Sequence, residues 1–550
     1  MQKNGVILFG LLLLIYLIGM GIDIMDIDAA QYASMSREML RNGSFLQVYD
    51  HGQNYLDKPP FLFWVSALSM KIFGANNFSY RFPSFLFALL ALYSTFRFAR
   101  LYYQKEIAVL SSIILASCQA FFLINHDVRT DTILMGWVIL SIWQLAEWYQ
   151  NKRLLHFIIG CVAIAGGMMT KGPIALFVPI FAFGTHYFLQ RNFSYFFKWQ
   201  YLLGILIIAF LLIPMSIGLY HQFDLHPEKL VNGKTDVSGL RFFFWTQSFG
   251  RITGESSWNN QAGIFFLLQN MMWAFLPWII FFLIGLYVNI KQIIITKFSL
   301  TKKQEAITTG GFILTYLSLG MSKYQLPHYI FVVFPLAAII TAVFLYQLIY
   351  ENKYPALLKG LLNFHLGLSV LLFSALFLLI TFPFKTIPAY ASIAVLFFLA
   401  GLLMLFIKKR KSPALIVLIC LYTIMTINFF LNAYFYPALL AYQAGSSVGK
   451  WMKTNNINTE KTYFYQYDLM RSLDFYANGI VLRKDSLNDI KQNDYILTEE
   501  TKLKDFDKSF KHFDILFKGI DYPVTRLKMN FILPQKREKE LTRFVLIKMK

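Results

Sequence analysis

Charge is what this chain has least of. Only 15% of its 550 residues are Asp, Glu, Lys or Arg, while 57% are hydrophobic. Mean hydropathy is +0.50. So little polar surface cannot cover so much apolar area, which excludes a single soluble domain. Cysteine is nearly absent. Cys118, Cys161 and Cys420 all fall inside apolar runs, which argues against a disulfide framework or a cysteine zinc site. No internal repeat and no low-complexity linker is evident, which removes solenoid and tethered-module readings. Acid is scarcer than base, and the net charge is +21. Most Lys and Arg lie between apolar runs, so the expected partners are a bilayer and anionic lipid, with no nucleic acid.

Long apolar runs are what the chain has in excess. They predict thirteen membrane spans, roughly at 5–22, 83–103, 107–125, 131–149, 155–170, 173–189, 201–220, 263–288, 306–321, 327–349, 360–380, 388–407 and 413–434. The stretch 60–74 is apolar but short, and reads as a re-entrant or interfacial segment. The opening "MQKNGVILFGLLLLIYLIGMGI" shows no small-residue cleavage site and reads as a retained first helix.

The loops alternate in character. One set, "RFARLYYQKE", "NKR", "QRNFSYFFK", "NIKQIIITKFSLTKKQE", "ENKYPALLKG" and "IKKRKSP", carries seventeen Lys or Arg, and Lys3 lies on the same side. The positive-inside rule makes that face cytoplasmic. The other face receives 23–82, 126–130, the Lys171 turn, 221–262, 322–326, 381–387 and the C-terminal segment. The expected architecture is an α-helical polytopic membrane domain over 1–436, with a catalytic first outer loop at 23–82. A soluble α/β domain follows over 437–550, where runs such as "KTYFYQYD" and "TRFVLIKM" read as strands.

On the outer face, acids and bases mix near span ends. They are Asp26 and Asp28; Asp57 and Lys58 in "YLDKPP"; Arg81 in "YRFPS"; Asp127, Arg129 and Asp131 in "NHDVRTD"; Lys171 in "MTKGP"; Arg251 in "SFGRITGE"; and Lys323 in "SKYQLPHY". Charges beside hydrocarbon are costly and mark a site when many converge at one depth. Lysines and arginines there suit a membrane-embedded phosphate, and carboxylates suit a nucleophile or sugar hydroxyls. In "TKGP" the glycine frees the turn and the proline opens the next helix. Pro59 and Pro60 stiffen the chain behind Lys58.

Asp28 has a structural reading as well. Asp28-x-x-Gln31 has capping-box spacing for an interfacial helix with Ala29, Tyr32, Ser36, Met39 and Leu40 on one face and Gly43 as its stop. Asp26 and Asp28 also form an Asp-x-Asp pair, which in nucleotide-sugar enzymes holds a divalent cation. Nucleotide sugars are cytoplasmic and this loop is outside, which weakens that reading. Asp131 pairs with Arg129 or contacts a sugar.

The pattern "DIDAAQYASMSREML", "YLDKPPFLFW", "YRFPS", "VRTD", "MTKGPIA" and "SKYQLPHYIFVVFP" resembles integral-membrane glycosyltransferases of the C-type (GT-C) fold. The nearest branch is the 4-amino-4-deoxy-L-arabinose lipid A transferases, glycosyltransferase family 83, in the protein O-mannosyltransferase-like superfamily. The resemblance spans essentially the whole chain. It implies an inverting transferase in the bacterial inner membrane, N-terminus cytoplasmic and C-terminal domain periplasmic. The sugar would pass from an undecaprenyl-phosphate donor to lipid A or another envelope glycolipid. Asp28 and Asp131 are the catalytic candidates, Asp28 matching the catalytic aspartate and Asp131 a second acidic position, and Lys58 matches a donor-phosphate lysine. Arg251, Lys323 and Tyr329 match positions near the lipid phosphate. Arg81 and Lys171 join the phosphate-binding candidates, and Asp26, Asp57 and Arg129 are supporting. Asp57 stands where the family often has Glu. Ser248 stands where the branch has a metal-linked His, so no cofactor is assigned and a divalent cation stays open. His221 and His226 read as ordinary loop residues. A protein O-glycosyltransferase and a lipid-linked sugar flippase are the alternatives. The flippase predicts mid-membrane charges and repeats, neither of which is seen.

Overall fold

The computed structural model describes residues 2–255, 258–301, 304–467, 470–509 and 512–550, with side chains from Ile7 onward. The side chain of Lys3, and Lys302, Lys303 and Asp468, lie outside the described residues. The first half of the chain runs α1 (Gln2–Gly19), α2 (Asp28–Asn42), β1 (Tyr49–Asp50), β2 (Gln53–Asn54), α3 (Phe61–Phe73), α4 (Asn77–Tyr102), α5 (Lys105–Ala116), α6 (Gln119–His126), α7 (Thr130–Asn151), α8 (Leu154–Lys171), α9 (Ile174–Leu189) and α10 (Gln200–Leu219). After short helical turns α11 (Gly239–Arg241) and α12 (Phe249–Thr253) come α13 (Phe266–Ala274), α14 (Ile279–Ile295), α15 (Ile307–Gly320), α16 (Phe334–Ile349), α17 (Pro355–Thr381), α18 (Ala389–Lys409) and α19 (Leu415–Phe430). The C-terminal part holds α20 (Tyr436–Leu440), α21 (Ala444–Thr454), β3 (Thr462–Tyr465), α22 (Arg471–Ala477), β4 (Leu482–Lys484), β5 (Tyr495–Glu499), β6 (Phe513–Asp521) and β7 (Thr542–Met549).

Every predicted span is helical, in two cases with a break. Among the described residues seven helices are long and apolar enough to cross a membrane, or eight with α5 and α6 counted as one bent span. That pair, expected as one span over 107–125, turns by 55°. The span expected over 263–288 is likewise two helices, parted at Pro277, which has no N–H to continue the ladder. The two breaks satisfy each other. Gln119 donates its backbone N–H to the Leu276 carbonyl at 3.0 Å, and the Trp278 indole donates to Ser117 Oγ at 3.0 Å. Freed backbone groups inside a bilayer need such partners, because no water is there to supply them.

The two sets of loops collect at opposite ends. At the basic end Tyr103 donates to Glu305 at 2.5 Å, Gln190 to the Gln304 carbonyl at 2.7 Å, and Tyr149 to Gln190 at 2.8 Å. At the other end, Gln222 reaches the Val48 carbonyl at 2.7 Å, and the Arg537 guanidinium stacks on Phe384 and bonds the Pro383 carbonyl. Residues 462–549 form a five-stranded mixed sheet in the order β4-β3-β5-β7-β6. β3 pairs in parallel with β4 and β5, and β7 runs antiparallel to β5 and β6. β7, an interior strand between β5 and β6, is its most buried, with Phe544, Val545, Leu546 and Ile547 all essentially inaccessible. This segment sits against the first loop and the 381–387 loop, so it caps the end where the candidate site lies.

Candidate active site

The first loop builds one side of the site. α2 opens directly at Asp28 and stops at Gly43, whose φ of 67° suits a residue without Cβ. The capping box is not formed. Asp28 is the first helical residue, it makes no cap hydrogen bond, and Gln31 Nε2 donates instead to Asp50 at 2.7 Å. Nor is α2 an interfacial helix: every residue from Ala29 to Met39 except Gln31 is buried. The reason is tertiary. α2 lies between α3 and α22, so both of its faces are covered.

Asp28 keeps its side chain 42% exposed and takes Arg129 Nη1 on Oδ2 at 2.6 Å. Arg129 Nε holds Asp127 at 3.0 Å. Burial alone would lower the Arg129 pKa, but the carboxylates of Asp127 and Asp28 raise it above its ordinary range, so it stays charged. Burial, then the charges of Asp28 and Asp57, push the Tyr32 hydroxyl well above its usual range. Asp28, Asp57 and Arg129 therefore surround one buried ring. Oδ1 of Asp28 has no hydrogen-bond partner among the described residues and is free to meet a ligand.

Cations build the other side. Lys171 ends α8, Gly172 turns with φ 96°, and Pro173 leads into α9. Lys171 Nζ lies 2.5 Å from Asp131 Oδ1 and 4.5 Å from the Tyr329 ring centre. Asp131 is 1% exposed and also faces His328 Nε2 at 3.8 Å. Its partner is thus Lys171, not Arg129. Asp131 is thus enclosed beneath Lys171 and holds that lysine in place. Lys58 pairs with its neighbour Asp57 at 2.8 Å, and Gln247 Nε2 donates to the same carboxylate at 3.0 Å.

Arg251 is 8% exposed. Its Nη1 donates to the Tyr329 hydroxyl at 2.6 Å, and its guanidinium carbon lies 5.0 Å from the Trp258 ring centre and 5.2 Å from that of Tyr324. Its Nε and Nη2 are buried without a partner among the described residues. An unsatisfied buried donor costs about 1–3 kcal/mol, and more when charged. Two such nitrogens on one guanidinium form a vacant fork of the kind that grips an oxyanion.

Lys58, Lys171, Arg251 and Tyr329 line one open cleft. Its remaining wall is largely apolar, with Ile174, Phe177, Ile252, Leu319 and Val332. A phosphate at the cations and a hydrocarbon chain along the rest would match this polarity.

Three sequence candidates lie elsewhere. Arg81 is 1% exposed and spends its guanidinium on backbone carbonyls: His126 at 2.8 Å, Ile22 at 2.5 Å and Asp23 at 3.0 Å. It ties α4 to the ends of α1 and α6 and is not a phosphate ligand. Lys323 is exposed; it packs over Gly254 and does not line the cleft. Asp26 accepts the Ser472 N–H at 2.8 Å and its hydroxyl at 2.7 Å, joining the first loop to α22. Gln247 and His328 went unread in the sequence. His328 stands beside Tyr329 in "LPHY", and Gln247 lies four residues before Arg251, one turn apart if helical, which was the available signal.

Burial pushes the Asp26 carboxyl up to about 7, against the two Ser472 bonds. The folded value exceeds the unfolded value of about 4, so the protonated form favours folding. That contribution is full below about pH 4 and is lost as pH rises through about 7. Asp26 retains some exposure, which limits the effect. Thermal midpoints in detergent are expected to fall from pH 6 to pH 8 by the equivalent of about 1 kcal/mol. Asp26→Asn should flatten the slope, and an unchanged slope would show that another group sets it.

Over 98% of its length the chain superposes on ArnT from Cupriavidus metallidurans bound to undecaprenyl phosphate, covering 97% of that chain with a TM-score of 0.73 at 16% identity. The chain has the GT-C fold, and parts of it are similar in sequence to aminoarabinose transferases. An oligosaccharyltransferase from Archaeoglobus fulgidus is more distant, with a TM-score of 0.51 at 12% identity, covering 90% of this chain and 68% of that one. Residues 57–217 match the family described as Dolichyl-phosphate-mannose-protein mannosyltransferase. An undecaprenyl phosphate-alpha-4-amino-4-deoxy-L-arabinose arabinosyl transferase of Wigglesworthia glossinidia brevipalpis is 31% identical over 34% of this chain. The chain spans about a third of that relative's length, 35%. A protein of Aquifex aeolicus without an assigned role is 24% identical over 82% of both chains.

Among the described residues no three His, Cys, Asp or Glu side chains come together as a metal-holding group. Ser248, beside Gly172, supplies only a weak hydroxyl ligand. The reaction below is built on the lysine and arginine side chains of the cleft.

Proposed function

We propose that this protein transfers a sugar, aminoarabinose or a close relative, from undecaprenyl phosphate to a phosphate of lipid A or another envelope glycolipid. The reading is carried by one observation: Lys58, Lys171 and the vacant fork of Arg251 meet in a cleft that is otherwise largely apolar. The names of the arabinosyl transferase relatives support the choice of donor and sugar. The matched family's description names a protein acceptor, which makes a polypeptide the second reading.

The reaction is an inverting displacement at the anomeric carbon. An acceptor oxygen forms the new bond to that carbon. The bond from the carbon to the donor phosphate oxygen breaks, and its electron pair leaves with the lipid phosphate. Lys58, Lys171 and Arg251 then hold the added charge in a site poor in water, where fixed cations act most strongly. Asp131 aims Lys171, and Tyr329 and Trp258 aim Arg251. Arg129 fixes one oxygen of Asp28 and leaves the other to orient the acceptor. A phosphate acceptor is already nucleophilic, so Asp28 positions it; a hydroxyl acceptor would give its proton to Asp28.

The basic loops face the cytoplasm in this reading, and the site and C-terminal domain face the periplasm, with some thirteen crossings of the inner membrane. The test is transfer in proteoliposomes from radiolabelled undecaprenyl-phosphate aminoarabinose to diphosphorylated lipid A, with a peptide acceptor in parallel. Product on the peptide alone would favour the second reading, and none on either would sink the proposal. EDTA is expected to leave the rate within about twofold, since lysine and arginine can carry the phosphate charge. Loss of transfer restored by added Mg2+ or Zn2+ would overturn the cation-free account.

A further inference from the structure

The junction between α2 and α22 carries buried charges beside its apolar contacts. Arg37 Nη1 donates to the carbonyls of Asp474 at 2.6 Å and Phe475 at 2.5 Å. Arg471 Nη1 pairs with Asp50 Oδ1, and the other oxygen of Asp50 accepts from Gln31 Nε2 at 2.7 Å. His51 Nε2 lies 2.5 Å from Asp474 Oδ2. Glu38 pins the hairpin that carries Asp50 and His51, accepting the backbone N–H groups of His51 at 3.0 Å and Gly52 at 2.9 Å. Arg37, Glu38 and Asp474 are 9%, 6% and 1% exposed. Burying so many charges is a poor way to gain stability, because desolvation offsets the attraction. The bonds that Arg37, Glu38, Asp50 and Gln31 do make instead favour a single geometry. Gln31 stands three residues after Asp28, so the two are neighbours on the helix surface. The relay from Arg471 through Asp50 to Gln31 therefore ends beside the carboxylate that faces the substrate.

We propose that α22 is a positioning element of the transfer site: the C-terminal domain, through Arg471 and Asp50, sets the rotation of α2 and with it the direction of Asp28. This rests on the transferase reading, and the domain then acts on turnover without touching the substrate. Asp50 and Arg471 are positioning residues, and exchanging their charges keeps the pair, since the Gln31 amide can turn its oxygen to a new guanidinium.

The test uses the full-length protein in proteoliposomes with undecaprenyl-phosphate aminoarabinose and diphosphorylated lipid A. Asp50→Arg and Arg471→Asp are each expected to lower kcat by about tenfold or more, with KM for the donor within about twofold, the mark of an interaction felt in the transition state. Both should speed amide exchange over residues 28–33. The double exchange should recover kcat and protection, and Arg471→Lys should keep most of both. Single variants with wild-type kcat, or losses that the double exchange does not recover, would overturn the proposal. Amide exchange needs no substrate. If the wild type transfers nothing from this donor, the transferase reading fails, while exchange at 28–33 still decides whether α22 governs α2.

Discussion

Asp28→Asn is expected to lower sugar transfer by about a thousandfold, with undecaprenyl-phosphate affinity within about twofold of wild type. The amide is isosteric and keeps an oxygen for Arg129 Nη1, so the 2.6 Å contact and the opening of α2 can survive. What disappears is the negative charge at the free Oδ1, which orients the acceptor or takes its proton. Asp28 does not line the cleft of Lys58, Lys171 and Arg251, so donor binding should not notice the change. The measurement is single-turnover transfer beside equilibrium binding of undecaprenyl phosphate. A variant that transfers at more than about a tenth of the wild-type rate would remove Asp28 from the chemistry. Arg129→Ala gives a secondary check: it frees Asp28 without neutralising it, so its loss should be smaller.

Arg251→Ala is expected to weaken undecaprenyl-phosphate binding by about ten- to a hundredfold, the effect of about 1.5–3 kcal/mol for hydrogen bonds to a charged group. Arg251 is the cleanest of the three cations to remove. Its Nε and Nη2 have no partner to strand, and its Tyr329 partner is a neutral hydroxyl. Lys171→Met would lose a similar contact but leave Asp131 buried and unpaired, a destabilisation of about 3–5 kcal/mol that would confuse the reading. Arg251→Lys keeps the charge and loses the fork, so it should fall between alanine and wild type. Titration of undecaprenyl phosphate by intrinsic fluorescence would report this directly, since Trp258 lies against the guanidinium. Unchanged affinity in Arg251→Ala would move the phosphate away from this cleft.

These two residues show how far a sequence can be read. Asp28 and Arg251 carried local signals, an acid just past an apolar run and a cation in a polar loop. Both were legible because a charge beside hydrocarbon is expensive enough to need a reason. Arg81 carried the same signal and has a different role. Its guanidinium meets carbonyls from the ends of α1 and α6, a partner set spread over more than 100 residues of sequence. Asp131 also changed meaning, from a candidate catalytic acid to the anchor of Lys171. The capping box failed for a similar reason: Gln31 found Asp50 instead of the helix terminus. Breaks within predicted spans went unread because each depends on a partner break, the Gln119 amide on the Leu276 carbonyl.

The sequence by itself determined the membrane-embedded character, the places of the apolar segments and the end of the bundle where acids and bases mix. Those follow from hydration, which acts on each run and each loop locally. Only the tertiary structure decided which of the charges face the cleft, which hold the frame, and that the C-terminal domain grips the helix of Asp28. A charged side chain takes its role from what it meets across the fold, and Lys171, Arg81 and Asp26 each meet a group that nothing in their own sequence neighbourhood supplies.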